Sequence, residues 1–81
     1  MEERVTNTVA SMRSLAVPAR EMAEMLRMSV RQIWRLNSAG KLPRPIRLGG
    51  SVRWDRKEVE QWFQVGCPDR RAWEAMKEVQ R

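Results

Sequence analysis

The chain has 81 residues, 42% hydrophobic and 32% charged, with 16 Lys plus Arg against 10 Asp plus Glu for a net charge of +6. That length supports one small domain. Its folding buries roughly 60% of the unfolded chain's surface, too thin a core for a large enclosed pocket, so no small-molecule ligand is expected. With no His, no Tyr and a single cysteine, Cys67, a four-ligand zinc site, an internal disulfide and the usual base for a Ser or Cys nucleophile are all excluded. The expectation is a non-enzyme with no catalytic residue, no metal and no cofactor, in a reducing compartment. The longest uninterrupted apolar stretch, Leu15 to Val17, is far below the roughly 20 residues of a membrane span, which predicts a soluble cytoplasmic protein with no membrane partner.

The charge is concentrated in one place. Residues 1–14 and 15–28 each sum to zero, residues 55–66 to −1 and residues 67–81 to +1. Residues 29–54 hold Arg31, Arg35, Lys41, Arg44, Arg47 and Arg53 without one Asp or Glu, a net +6. A solvating shell intersperses both signs, whereas an unbroken basic stretch is the footprint of a phosphate-bearing partner.

Residues 1–14 show no sustained periodicity and are predicted to form a mobile N-terminal arm. From Pro18 onward Ala19, Met22, Ala23 and Leu26 fall at helical spacing, with Arg20, Glu21, Glu24 and Arg27 on the other side. Met22, Met25 and Met28 are expected to fill the core. Ser29 then caps a second helix, Val30 to Ser38, which Gly40 ends; two helices joined by so short a turn form a helix-turn-helix.

The second helix has two unlike sides. Val30, Ile33, Trp34 and Leu36 share an apolar arc expected to pack in the core, Trp34 included. Arg31, Gln32, Arg35 and Ser38 occupy the opposite arc. Arg bonds guanine bidentately and Gln bonds adenine, so Arg31, Gln32 and Arg35 are the candidate base readers of a helix lying in a major groove.

After Gly40, Pro43 and Pro45 impose an extended connector. Ile46 to Trp54 then alternates apolar and basic residues about Gly49-Gly50, a hairpin signal. A three-residue loop, Gly49-Gly50-Ser51, would pair Leu48 with Val52, Arg47 with Arg53 and Ile46 with Trp54, giving one wholly apolar face. The two arginines would then stand opposite each other, an arrangement that suits a phosphate between them. Asp55 opens a third helix with Glu58 three residues on, burying Val59, Trp62 and Phe63 and ending at Gly66. Cys67 lies in the following turn with no His nearby to activate it, so it reads as an unreactive structural thiol. Asp69 caps a fourth helix with an apolar stripe of Ala72, Trp73, Met76 and Val79, which packs on the domain or on a partner.

The fold class is therefore mainly α with a small β-hairpin: helix-turn-helix, a two-stranded basic wing, then two further helices. The stretches Ala19 to Leu26, Ser29 to Leu36, Gly40 to Pro43 and Ile46 to Trp54 together resemble the AlpA-like phage regulators and excisionases, small proteins with a MerR-like winged helix-turn-helix. The resemblance covers about residues 15–66 as the DNA-binding domain, leaving the arm and the segment 67–81 outside it. Its members often have Gly where Arg27 stands, and a positive φ there costs a side-chain-bearing residue free energy.

The resemblance implies a sequence-specific double-stranded DNA-binding protein of bacterial or phage origin, associated with the nucleoid, acting as an excisionase or regulator of a mobile element. It places the second helix in the major groove and the wing on the adjacent backbone or minor groove. It also suggests further copies on adjacent DNA sites and a recombinase or integrase as partners. Base reading then falls to Arg31, Gln32 and Arg35, and phosphate holding to Ser29, Lys41, Arg44, Arg47, Ser51 and Arg53. A MerR-like transcriptional regulator without an effector domain and a protein-interaction adaptor for recombination or packaging are the alternatives. An RNA binder ranks lower, because the aromatic residues all fall on apolar faces.

Overall fold

The computed structural model describes residues 15–80, and the arm expected over residues 1–14 lies outside the described residues. The elements run β1 (Ala16–Val17), α1 (Ala19–Leu26), α2 (Val30–Ser38), β2 (Ile46–Leu48), β3 (Ser51–Asp55), α3 (Arg56–Gln64) and α4 (Arg70–Gln80). Helices and a small antiparallel sheet in this order make a winged helix-turn-helix.

The helix boundaries follow local chemistry. Ser29 Oγ accepts the Gln32 backbone N–H, Asp55 accepts those of Lys57 and Glu58, and Asp69 accepts that of Ala72, so each cap satisfies donors a helix start leaves open. The first three helices end alike. Met28 N–H donates to Ala23 O, Lys41 N–H to Leu36 O and Cys67 N–H to Trp62 O, the long closing bond of a Schellman turn. Each such turn needs one left-handed residue, and the three are Arg27 (φ 59°), Gly40 (φ 72°) and Gly66 (φ 97°). Arg27 thus takes the strained conformation directly, and the turn between α1 and α2 keeps its form.

The sheet differs from expectation in two ways. Ala16 and Val17, too short a pair to signal a strand, add a third strand in the order β1-β3-β2, with Val17 opposite Trp54 and Ala16 opposite Asp55. The hairpin also closes with a two-residue loop, pairing Leu48 with Ser51, Arg47 with Val52 and Ile46 with Arg53. The three-residue loop and its apolar face are therefore overturned. Gly49 takes φ 61° while Gly50 stays outside the left-handed region, the pattern of a tight primed turn. The reason lies in burial: β2 is exposed along its whole length, with Ile46 at 43% and Leu48 at 62%, so no core demand sets its register and the turn does.

The core gathers Val17, Ala19, Met22, Ala23, Ile33, Leu42, Trp54, Val59, Trp62 and Trp73, with Met25, Leu26, Leu36, Val52 and Met76 packed around it. Truncating a buried Trp or Met in such a core costs about 2–5 kcal/mol. Three indoles are buried with their N–H groups satisfied: Trp54 donates to Pro43 O at 2.9 Å, Trp62 to Pro68 O at 2.7 Å and Trp73 to the Glu58 carboxylate at 2.8 Å. Trp73 and Met76 pack α4 onto the domain, while Ala72 and Val79 of the expected stripe are exposed. Phe63, Met28, Val30 and Trp34 are also more open than their helical spacing implies. Phe63, Val30 and Trp34 share their helices with a residue that takes the buried position, Trp62 in α3 and Ile33 in α2, and Met28 lies past the end of α1 in the turn.

Candidate nucleic-acid interface

Helix α2 is nine residues, about 13 Å long at 1.5 Å per residue, a rod that a major groove about 12 Å wide admits. Its side facing the core is fixed by Ile33, which is fully buried, and by Leu36, which packs against the core. Arg31, Gln32 and Arg35 are all exposed. Gln32 gives its backbone N–H to the Ser29 cap, and its residue is exposed, with a side-chain amide that can both donate and accept. Ser29 uses its oxygen as acceptor, which leaves its hydroxyl hydrogen available to donate.

The connector is held from beneath. Leu42 and Pro43 are buried and Pro43 O takes the Trp54 indole N–H, which leaves the neighbouring Lys41 and Arg44 exposed on an anchored backbone. On the wing, Arg47 and Ser51 are exposed and Arg53 is half-buried, its guanidinium donating to the Val52 carbonyl at 3.0 Å. The observed register puts Arg47 on the face of Val52 and Trp54, and Arg53 on the face of Ile46, Leu48 and Ser51. The two arginines therefore do not oppose each other, and the expected arrangement of one phosphate between a cross-strand arginine pair is not formed. The two instead lie on opposite faces of the wing.

Among the described residues, none of Arg31, Arg35, Lys41, Arg44, Arg47 and Arg53 makes an ion pair. The pairs that do form lie elsewhere, joining Arg56 to Glu21 and Glu60 and Lys77 to Glu58 and Glu74. The basic stretch is thus unneutralised in three dimensions as well as along the chain. Cations without carboxylate partners are what counterion-releasing contacts with a nucleic acid require.

Two residues enter the site that the sequence reading had left out. Arg20 lines an open cleft between α1, α2 and the wing, although its segment sums to zero charge. The sum misleads because Glu21 is engaged by Arg56 of α3 at 3.3 Å, a contact 35 residues away that local counting cannot see. Trp34, expected in the core, is 40% exposed and lines the same cleft, its ring tilted against Trp54 with centroids 5.7 Å apart. Cys67 is exposed, and partial burial pushes its thiol above the usual range, consistent with an unactivated side chain.

Comparison with protein families matched residues 19–64 to a helix-turn-helix domain. No curated protein and no solved structure matched the chain.

Proposed function

The chain belongs to the helix-turn-helix domain family and binds DNA, and from that premise we propose that it recognises a specific double-stranded sequence as an excisionase or AlpA-like regulator of a phage or other mobile element. Helix α2 enters the major groove with Arg31, Gln32 and Arg35 on base edges. The connector and wing hold phosphates through Lys41, Arg44, Arg47, Ser51 and Arg53, with Ser29 at the start of α2. The protein is a non-catalytic binder of the nucleoid, and further copies on adjacent sites and a recombinase are its expected company.

One observation carries the reading: between Ser29 and Trp54 six cations stand on the helix, the connector and the wing, and none of the six makes an ion pair among the described residues. A merely solvated surface would mix signs. The adaptor alternative is disfavoured, because Trp73, the centre of the stripe a partner would grip, is buried and bonded to Glu58.

In vitro selection from randomised duplex DNA at two salt concentrations tests the proposal. An enriched motif above a salt-dependent background supports it, and repeats within the motif count the copies that dock. Salt-sensitive binding without enrichment would overturn sequence specificity and leave a protein that touches DNA only through charge.

A further inference from the structure

Of the four tryptophans, Trp54, Trp62 and Trp73 are at most 3% exposed and donate their indole N–H groups within the fold. Trp34 stands apart. It is 40% exposed, and its N–H has no acceptor among the described residues. Its ring rests on Trp54 at a tilt of 48°, and Trp54 is itself tied to Pro43 O, so Trp34 is supported from behind while it lines the cleft.

The chemistry of that cleft is mixed in a specific way. Arg20 comes from the first turn of α1, Ser51 and Arg53 from the wing, and Val30 and Trp34 from α2. Arg20 and Arg53 make no ion pair among the described residues; Glu21 is engaged by Arg56, leaving Glu24 as the carboxylate of the lining without a partner. Guanidinium groups suit a phosphate. An apolar wall of Val30 and Trp34 suits the carbon face of a deoxyribose, with an indole N–H to spare for an oxygen. A free anion would use only the first feature, whereas a nucleotide unit of a DNA strand uses both.

We propose that this cleft seats one deoxyribose-phosphate unit of the bound duplex, with Arg20 and Arg53 on the phosphate and the Trp34 ring against the sugar. The inference rests on the DNA-binding reading above and extends it to a third structural element, the first turn of α1. The backbone on that side of the groove is then gripped between α1 and the wing.

The test uses acrylamide quenching of tryptophan fluorescence in the full chain, free and saturated with a duplex whose binding is followed independently by anisotropy of a label on the DNA. In the free chain one readily quenched component is expected, absent from Trp34→Phe, and it should vanish when the duplex is bound. Arg20→Gln should weaken binding about 3- to 10-fold on specific and random DNA alike and lower the salt slope by about one unit. Should Trp34→Phe fail to fold, wild-type quenching and Arg20→Gln still decide. A duplex that binds yet leaves Trp34 as quenchable as before, with Arg20→Gln binding like wild type, would overturn this cleft assignment alone. A chain whose labelled duplex shows no binding would overturn the functional reading with it.

Discussion

The guanidinium of Arg70, in the first turn of α4, donates to the side-chain carbonyl of Asn37, in the last turn of α2, at 2.8 Å. The same guanidinium reaches Leu42 O at 2.9 Å and Asn37 O at 3.3 Å, and the Arg70 backbone N–H donates to Gly40 O. Helix α2 ends by leaving carbonyls open, and a cation near a helix C-terminus is favoured by the dipole as well. Arg70 therefore ties α4 to the end of α2 and to the connector after it. Replacing it leaves those half-buried carbonyls short of a charged donor.

Arg70→Met is accordingly expected to destabilise the domain by about 2 kcal/mol, lowering the melting temperature by roughly 8–16 °C, with Asn37→Ala costing less. Thermal denaturation followed by circular dichroism measures both. A melting temperature within a degree of wild type for Arg70→Met would show that the Arg70 guanidinium contributes nothing to the docking of α4.

What could be read from the sequence follows a physical line. The span of α2, the Asp55 and Asp69 caps and the glycines at 40 and 66 were legible because each depends on residues within one or two turns of each other. The hairpin register was not. The alternation of Ile46 to Trp54 fits two registers, and a wholly apolar face decides between them only where the strand is buried; β2 is exposed, and Trp54 finds its cross-strand neighbour in Val17. Trp34 and Phe63 show the same limit: helical spacing marks a broad apolar side, and only tertiary packing says which of its residues reaches the core. Arg20 was hidden because its neutralising neighbour is claimed by Arg56.

Arg27 closes α1 with φ 59° and ψ 48°, where the ends of α2 and α3 use glycine. The left-handed conformation costs a side-chain-bearing residue about 1–2 kcal/mol, while glycine loses about 0.5–1 kcal/mol more entropy on folding. Arg27→Gly should then stabilise the domain by about 0.5–1 kcal/mol, and Gly40→Ala should destabilise it by a similar amount. Urea denaturation of the two variants checks the pair. Loss of stability in Arg27→Gly would mean that the arginine side chain contributes more than its backbone strain costs.

Base reading and phosphate holding separate by their response to random DNA. Gln32→Ala removes an exposed amide on α2 and should lose about 1–3 kcal/mol of binding on the selected site with little change on random duplex. Arg47→Ala removes an exposed wing cation and should weaken both alike, reducing the salt slope by about one unit. Equal losses on both DNAs for Gln32→Ala would remove it from the base-reading set.

Lys77 Nζ lies 2.6 Å from the Glu58 carboxylate that also takes the Trp73 indole N–H, so two donors of α4 converge on one acceptor of α3. The hydrogen bond to Glu58, helped by the charges of Glu58 and Glu74 and opposed by burial, raises the lysine above its usual 10.5. A cation whose folded-state value is raised contributes stability that is fully present below the unfolded value and is lost as the pH rises through the folded one. The stability that Lys77 contributes should therefore be independent of pH up to about pH 10, and above it the melting temperature should fall more steeply in wild type than in Lys77→Met. Cys67, whose thiol is also raised from its ordinary 9.0, acts in the same direction at lower pH, since the folded state resists losing that proton. Carrying Cys67→Ser in both proteins isolates the lysine. Parallel melting profiles for the two serine-background proteins between pH 9 and 12 would show that the Glu58–Lys77 contact does not stabilise the α4 dock.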